Sequence, residues 1–74
     1  MEEFIINFAD VFDDTELDQF SSSTNFKDLK EWSSLHALAT LNMIEMKYGV
    51  KLEAARLMKT STIQELFDLV KSNL

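Results

Sequence analysis

Two adjacent hydroxyls, Ser33 and Ser34, stand between Trp32 and Leu35 at the point where a helical apolar period begins. A serine at such a place can cap the helix by accepting its free N–H groups. It can also present a hydroxyl for another enzyme to modify, because a helix N-terminus favours an attached anion. Hydrolytic chemistry would need more: a nucleophile, a base and a third group that orients the base. His36 is the only histidine. Residues two apart on a helix do not face each other, so a Ser34–His36 pair is poorly placed. With no third partner evident, His36 is expected to be an exposed polar residue of the first helical turn. One histidine and no cysteine leave no zinc ligand set, and a single glycine cannot build a phosphate-binding loop. The residues favour no catalytic role.

The elements that must position Ser34 can be read from apolar spacing. Phe4, Ile5, Phe8, Val11 and Phe12 form one face of a first helix over about residues 2–13. Asp10, Asp13 and Asp14 lie late in it, where the backbone dipole disfavours negative charge. From Thr15 to Trp32 the period is lost, and the polar run Ser21–Asn25 reads as loop. Leu17, Phe20, Phe26, Leu29 and Trp32 are expected to pin that loop over the core, with one helical turn near 26–30. A second helix runs over about 34–48, capped by Ser33, with Leu35, Leu38, Leu41, Ile44 and Tyr48 as its buried stripe. Gly49 ends it, with Val50 placed for the accompanying apolar contact. Residues 53–58 suggest a short third helix. The last helix covers about 62–72, with Ser61/Gln64 and Thr62/Glu65 both matching a capping box. The expected fold is all-α: a four-helix bundle with three main helices, one short helix and a long first loop.

Length and charge bound the rest. At 74 residues the chain has room for one domain, residues 1–74. Without cysteine it must rely on apolar bulk, so Phe4, Phe8, Phe12, Phe26, Phe67 and Trp32 are expected in the core. The net charge of −6 argues against nucleic acid. The charge is uneven: residues 1–32 carry nine acidic and two basic side chains, whereas residues 33–59 carry two acidic and four basic. The opening Met1-Glu2-Glu3 lacks the basic region of a secretion signal, and no apolar run could span a bilayer. The chain reads as a cytoplasmic monomer with no membrane insertion.

The stretch Trp32-Ser33-Ser34-Leu35, followed by Ile44-Glu45, Tyr48-Gly49-Val50-Lys51-Leu52 and Ser61-Thr62-Ile63-Gln64-Glu65-Leu66, resembles the acyl carrier protein family. There an Asp-Ser-Leu triplet opens the second helix, and a Thr-Ile/Val pair opens the last. The Trp-x-Ser-Leu form is similar to a subgroup with Trp-Asp-Ser-Leu, and the likeness covers essentially the whole chain. It implies a covalent 4'-phosphopantetheine arm on Ser34, the serine directly before Leu35. A separate phosphopantetheinyl transferase would install it. The arm's thiol would hold acyl groups as thioesters for acyl-transferring, acyl-activating or synthase enzymes, as in fatty acid biosynthesis and other lipid metabolism. This also explains how a cysteine-free chain could do thiol chemistry.

Here the chain departs from the family. Ser33 replaces the usual Asp, and the second helix lacks most of the acidic residues that partner enzymes read. The implied partner-binding residues are Leu35, His36, Ala39, Met43, Glu45 and Met46, of which only Glu45 keeps the family's charge. Met43 and Met46 either offer partners an apolar grip or line the core. Leu41, Ile44, Val50, Leu57 and Ile63 are candidates to line an acyl pocket, or else form a closed interior. These features suit a specialised acyl-transfer, lipid or secondary-metabolite pathway. The alternatives are an unmodified interaction module with the carrier fold, and a peptidyl or aminoacyl carrier.

Overall fold

The computed structural model describes residues 1–74. Its four α-helices are α1 (Glu2–Ala9), α2 (Ser34–Tyr48), α3 (Ala54–Leu57) and α4 (Ile63–Lys71), and it contains no β-strands. The all-α expectation holds, with three main helices, a short one and a long first loop. None of the helices is long and apolar enough to cross a membrane.

The first helix stops four residues sooner than its apolar spacing suggests. After Ala9 the chain tightens: Val11 and Phe12 donate to the carbonyls three residues back, at 3.1 and 3.0 Å. The next two N–H groups, of Asp13 and Asp14, turn to the Glu31 carboxylate at 3.0 and 3.1 Å. A carboxylate acceptor for these amides competes with continued helix, and three aspartates within five residues (Asp10, Asp13 and Asp14) do not favour extension. Phe12 stays buried nonetheless.

The long loop is stitched down by backbone bonds. Ile63 and Gln64 donate to the carbonyls of Thr24 and Ser22 at 3.1 and 2.9 Å, and Phe26 donates to that of Ser61 at 3.1 Å. Residues Phe26–Asp28 form a single 3₁₀ turn, as expected, and a second one covers Leu17–Gln19. Phe20 and Phe26 are buried, with Leu29 and Trp32 packed against the core. Leu17, expected to help pin the loop, is exposed.

Phe8 lies at the centre of the core, with its ring centroid 5.4 Å from that of Phe12, 5.5 Å from Phe26 and 5.9 Å from Phe20. Phe67 and Trp32, also expected inside, are half-buried at the edge of the same cluster. The caps formed where local sequence called for them. Gly49 takes φ +69° and closes α2 by donating to the Glu45 carbonyl at 2.9 Å, with Val50 buried beside it. Of the two capping boxes, Thr62/Glu65 forms: Thr62 Oγ1 accepts from Glu65 N at 3.1 Å, and Glu65 accepts from Thr62 N at 3.3 Å. Thr62→Ala should therefore cost about 1 kcal/mol, lowering Tm by roughly 4–8 °C in a domain of this size. A thermal melt followed by circular dichroism checks this; an unchanged Tm would show that the box contributes nothing.

The face of α2 that turns inward differs from the expected stripe. Thr40, Met43 and Ile44 are buried, with Ala37, Leu41 and Tyr48 packed against the core. Leu35 and Leu38, expected inside, are 75% and 62% exposed. The helix is apolar on most sides, so its period does not single out one face. The small Ala37 and Thr40 take places where leucines were expected. Thr40 is tolerated there because its hydroxyl donates to the His36 carbonyl at 2.8 Å.

Candidate functional site

Ser34 is the first residue of α2, and it is exposed. Ser33 caps the helix: its backbone is extended (φ −154°, ψ 175°) and its Oγ accepts the His36 N–H at 3.4 Å. The Ala37 N–H reaches the Ser33 carbonyl at 3.0 Å. The N–H groups of Ser34 and Leu35 precede the first intrahelical donor and remain free. They give this end of α2 a partial positive character suited to a phosphodiester.

An apolar groove of about 470 Å³ starts at Ser33 and Ser34 and runs between α2 and α3. Trp32, Ala37, Leu38 and Leu41 form its near side, and Ala54 and Met58 its far side. The volume falls within the range of small-ligand sites. Leu38, largely exposed, borders this groove.

His36 is not the free polar residue expected of it. Its ring stacks on Phe12 with centroids 4.8 Å apart, Nδ1 lies 2.8 Å from Ser33 Oγ, and Nε2 lies 3.4 Å from Glu31 Oε2. The third partner that the sequence did not reveal is Glu31. A serine, a histidine and a carboxylate in line have the pattern of an activated nucleophile. The Ser33 oxygen, however, is engaged in accepting the helix N–H, and the line reads as an elaborated cap.

Glu31 is held by four donors. The Thr15 hydroxyl lies 2.7 Å from Oε1, the amides of Asp13 and Asp14 approach as described, and His36 completes the set. Its pKa falls to about 2, chiefly through the Thr15 hydroxyl; partial desolvation opposes this, and the two amides and the imidazole add to the lowering. A depressed carboxyl pKa stabilises the fold above the unfolded value of about 4.3 and loses that contribution as pH falls towards 2. Glu31→Gln should therefore show a shallower loss of Tm than the native chain between those two pH values. Parallel Tm–pH curves for the two proteins would contradict this.

The other residues singled out by sequence are spread over two environments. Of the acyl-pocket candidates, Leu41 lines the groove, whereas Ile44, Val50, Leu57 and Ile63 lie in the closed core. Of the partner-binding candidates, Leu35, Ala39, Glu45 and Met46 are exposed, Met46 to 76%, while His36 is tucked against Phe12. Met43, for which the sequence left an exposed grip and a core position both open, is 8% exposed: it falls on the α2 face that packs inward. Sequence reasoning passed over Ala54, Met58 and Glu31. Glu31 acts through residues remote in sequence, and Ala54 and Met58, at the start of α3 and just past its end, become groove wall only through packing against α2.

No curated protein and no solved structure matches the chain. The family model for the phosphopantetheine attachment site matches residues 5–70. Domains of that family are non-catalytic carriers to which 4'-phosphopantetheine is covalently attached. An exposed hydroxyl at a helix mouth, with free N–H groups beside it and an apolar groove leading away, suits such an arm. With most of its length matched by that model, the chain belongs to the phosphopantetheine-attachment family of carrier domains.

Proposed function

We infer that the protein carries acyl groups and that Ser34 is the residue bearing its 4'-phosphopantetheine. The observation that supports this best is the exposure of Ser34 at the first position of α2, at one end of the apolar groove. When attached, the arm supplies a terminal thiol that holds acyl groups as thioesters. The chain's own contribution is to display the hydroxyl, receive the phosphodiester at the α2 N-terminus and offer shelter to an apolar cargo. Tethering then keeps the cargo at high effective concentration near successive enzymes. The protein would act as a single domain and a monomer in the cytoplasm.

The groove walls, Leu38, Leu41 and Met58, support an acyl cargo over an aminoacyl or peptidyl one, whose polar groups would find no partner there. The partner face comprises Leu35, Ala39, Glu45 and Met46. With Met43 buried, Met46 alone offers the exposed apolar grip on that part of the helix. With Glu45 as its one acidic residue, this face suits a specialised acyl-transfer pathway in lipid or secondary metabolism.

The test is mass spectrometry of the apo-protein after incubation with coenzyme A and a broad-specificity phosphopantetheinyl transferase. The expected result is the gain of one phosphopantetheine on Ser34. The absence of any gain would sink the carrier reading and favour the unmodified interaction module.

A further inference from the structure

Glu31 lies three residues before Ser34, outside the helix that bears it, yet it ties that helix to the segment that follows α1. On one side its carboxylate gathers the amides of Asp13 and Asp14 and the hydroxyl of Thr15, at 3.0, 3.1 and 2.7 Å. On the other it meets His36 Nε2 at 3.4 Å, and the same ring reaches Ser33 Oγ through Nδ1 at 2.8 Å. In the neutral ring, Nε2–H donates to Glu31 and Nδ1 accepts the Ser33 hydroxyl proton. The imidazole is also clamped by its stack on Phe12. Glu31 is thereby the one side-chain carboxylate of thirteen that meets a basic side chain within 4 Å. The first turn of α2 is thus fixed by a relay anchored in a different part of the fold.

We propose that Glu31 is a positioning residue for arm attachment, acting through His36 and Ser33 to hold the first turn of α2 in the one conformation that presents Ser34 to the modifying enzyme. The proposal rests on the reading of Ser34 as the attachment site. A helix end frays readily because its first amides lack intrahelical acceptors. A frayed turn would point Ser34 in many directions, and only the fraction with the turn formed would be competent to bind the transferase. Apparent affinity falls by that fraction, whereas turnover of the bound complex does not. Each Glu31 oxygen faces two donors, so glutamine at position 31, which places an amide NH₂ where one oxygen now accepts, cannot hold all four and loosens the relay.

The experiment compares the native apo-protein with Glu31→Gln, Ser33→Ala and the double variant. It measures transferase KM and kcat with coenzyme A as co-substrate, and amide hydrogen exchange at His36 and Ala37 in the apo-protein. Exchange at Leu66 and Val70 in α4 monitors the global fold. Glu31→Gln should raise KM for the carrier by about fivefold to tenfold with kcat nearly unchanged, the scale of one lost hydrogen bond of ordinary net strength. Exchange at the α2 start should quicken by a similar factor, while α4 stays protected. In the Ser33→Ala background the same change at position 31 should add little, because the relay is already cut. The proposal is overturned if KM stays at the native value, if kcat falls instead, or if the two substitutions multiply. No modification of the native chain would overturn it together with the attachment reading. Normal modification with an unaltered KM in Glu31→Gln would overturn the relay alone.

Discussion

Ser34→Ala will show no mass gain with coenzyme A and a phosphopantetheinyl transferase, whereas Ser33→Ala will still be modified. The two hydroxyls are one residue apart and both exposed, so sequence proximity does not separate them. Their hydrogen bonds do. Ser33 Oγ accepts the His36 amide and lies against the His36 ring. Modifying it would uncap α2 and break the contact with the imidazole. Ser34 Oγ makes no hydrogen bond within the chain and lies beyond the cap, on the first turn. Ser33→Ala should lose about 1 kcal/mol of stability, as expected for a serine cap, and keep its modification at reduced efficiency. The arm found on Ser33 in the native protein, or on Ser34→Ala, would overturn this assignment. A parallel Ser34→Thr chain guards against a trivial folding explanation, because it should remain folded with a bulkier, poorer acceptor.

Phe8→Ala will destabilise the protein more than any surface change, by about 3–5 kcal/mol. Phe8 is fully buried, and its ring is ringed by those of Phe4, Phe12, Phe20 and Phe26. Removing it opens a cavity shared by α1, the residues just after it and the middle of the long loop, which cannot collapse without moving several rings. At about 0.05–0.15 kcal/mol per residue, a chain of 74 residues has roughly 4–11 kcal/mol in total. The substitution therefore removes a large part of the margin and leaves a measurable unfolded population. Leu38→Ala is the matched control. Leu38 belongs to the stripe expected from apolar spacing but is mostly exposed, so its loss should change stability by no more than about 0.5 kcal/mol. Urea denaturation followed by circular dichroism measures both. Equal effects at Phe8 and Leu38 would mean that α2 presents a different face to the core from the one described.

Relief from sequence to structure was uneven, and particular residues show why. Ser33, Gly49 and Thr62 each act on groups within three or four residues, so the starts of α2 and α4 and the end of α2 could be read directly. Leu35 and Leu38 mislead because the apolar residues of α2 are spread around the helix, and for the same reason the sequence left the burial of Met43 open. The end of α1 depends on Glu31, some twenty residues further on, and apolar spacing carries no trace of it.

The sequence by itself determined the all-helical architecture, the helix caps and the family-like setting of Ser34, because these follow from local spacing and backbone hydrogen bonding. Only the tertiary structure decided which face of α2 is buried, that Ala54 and Met58 complete a groove beside Ser34, and that Glu31 reaches His36. Those outcomes depend on how separate segments pack, and the energy that selects among near-equal apolar faces comes from contacts that exist only once the chain has folded.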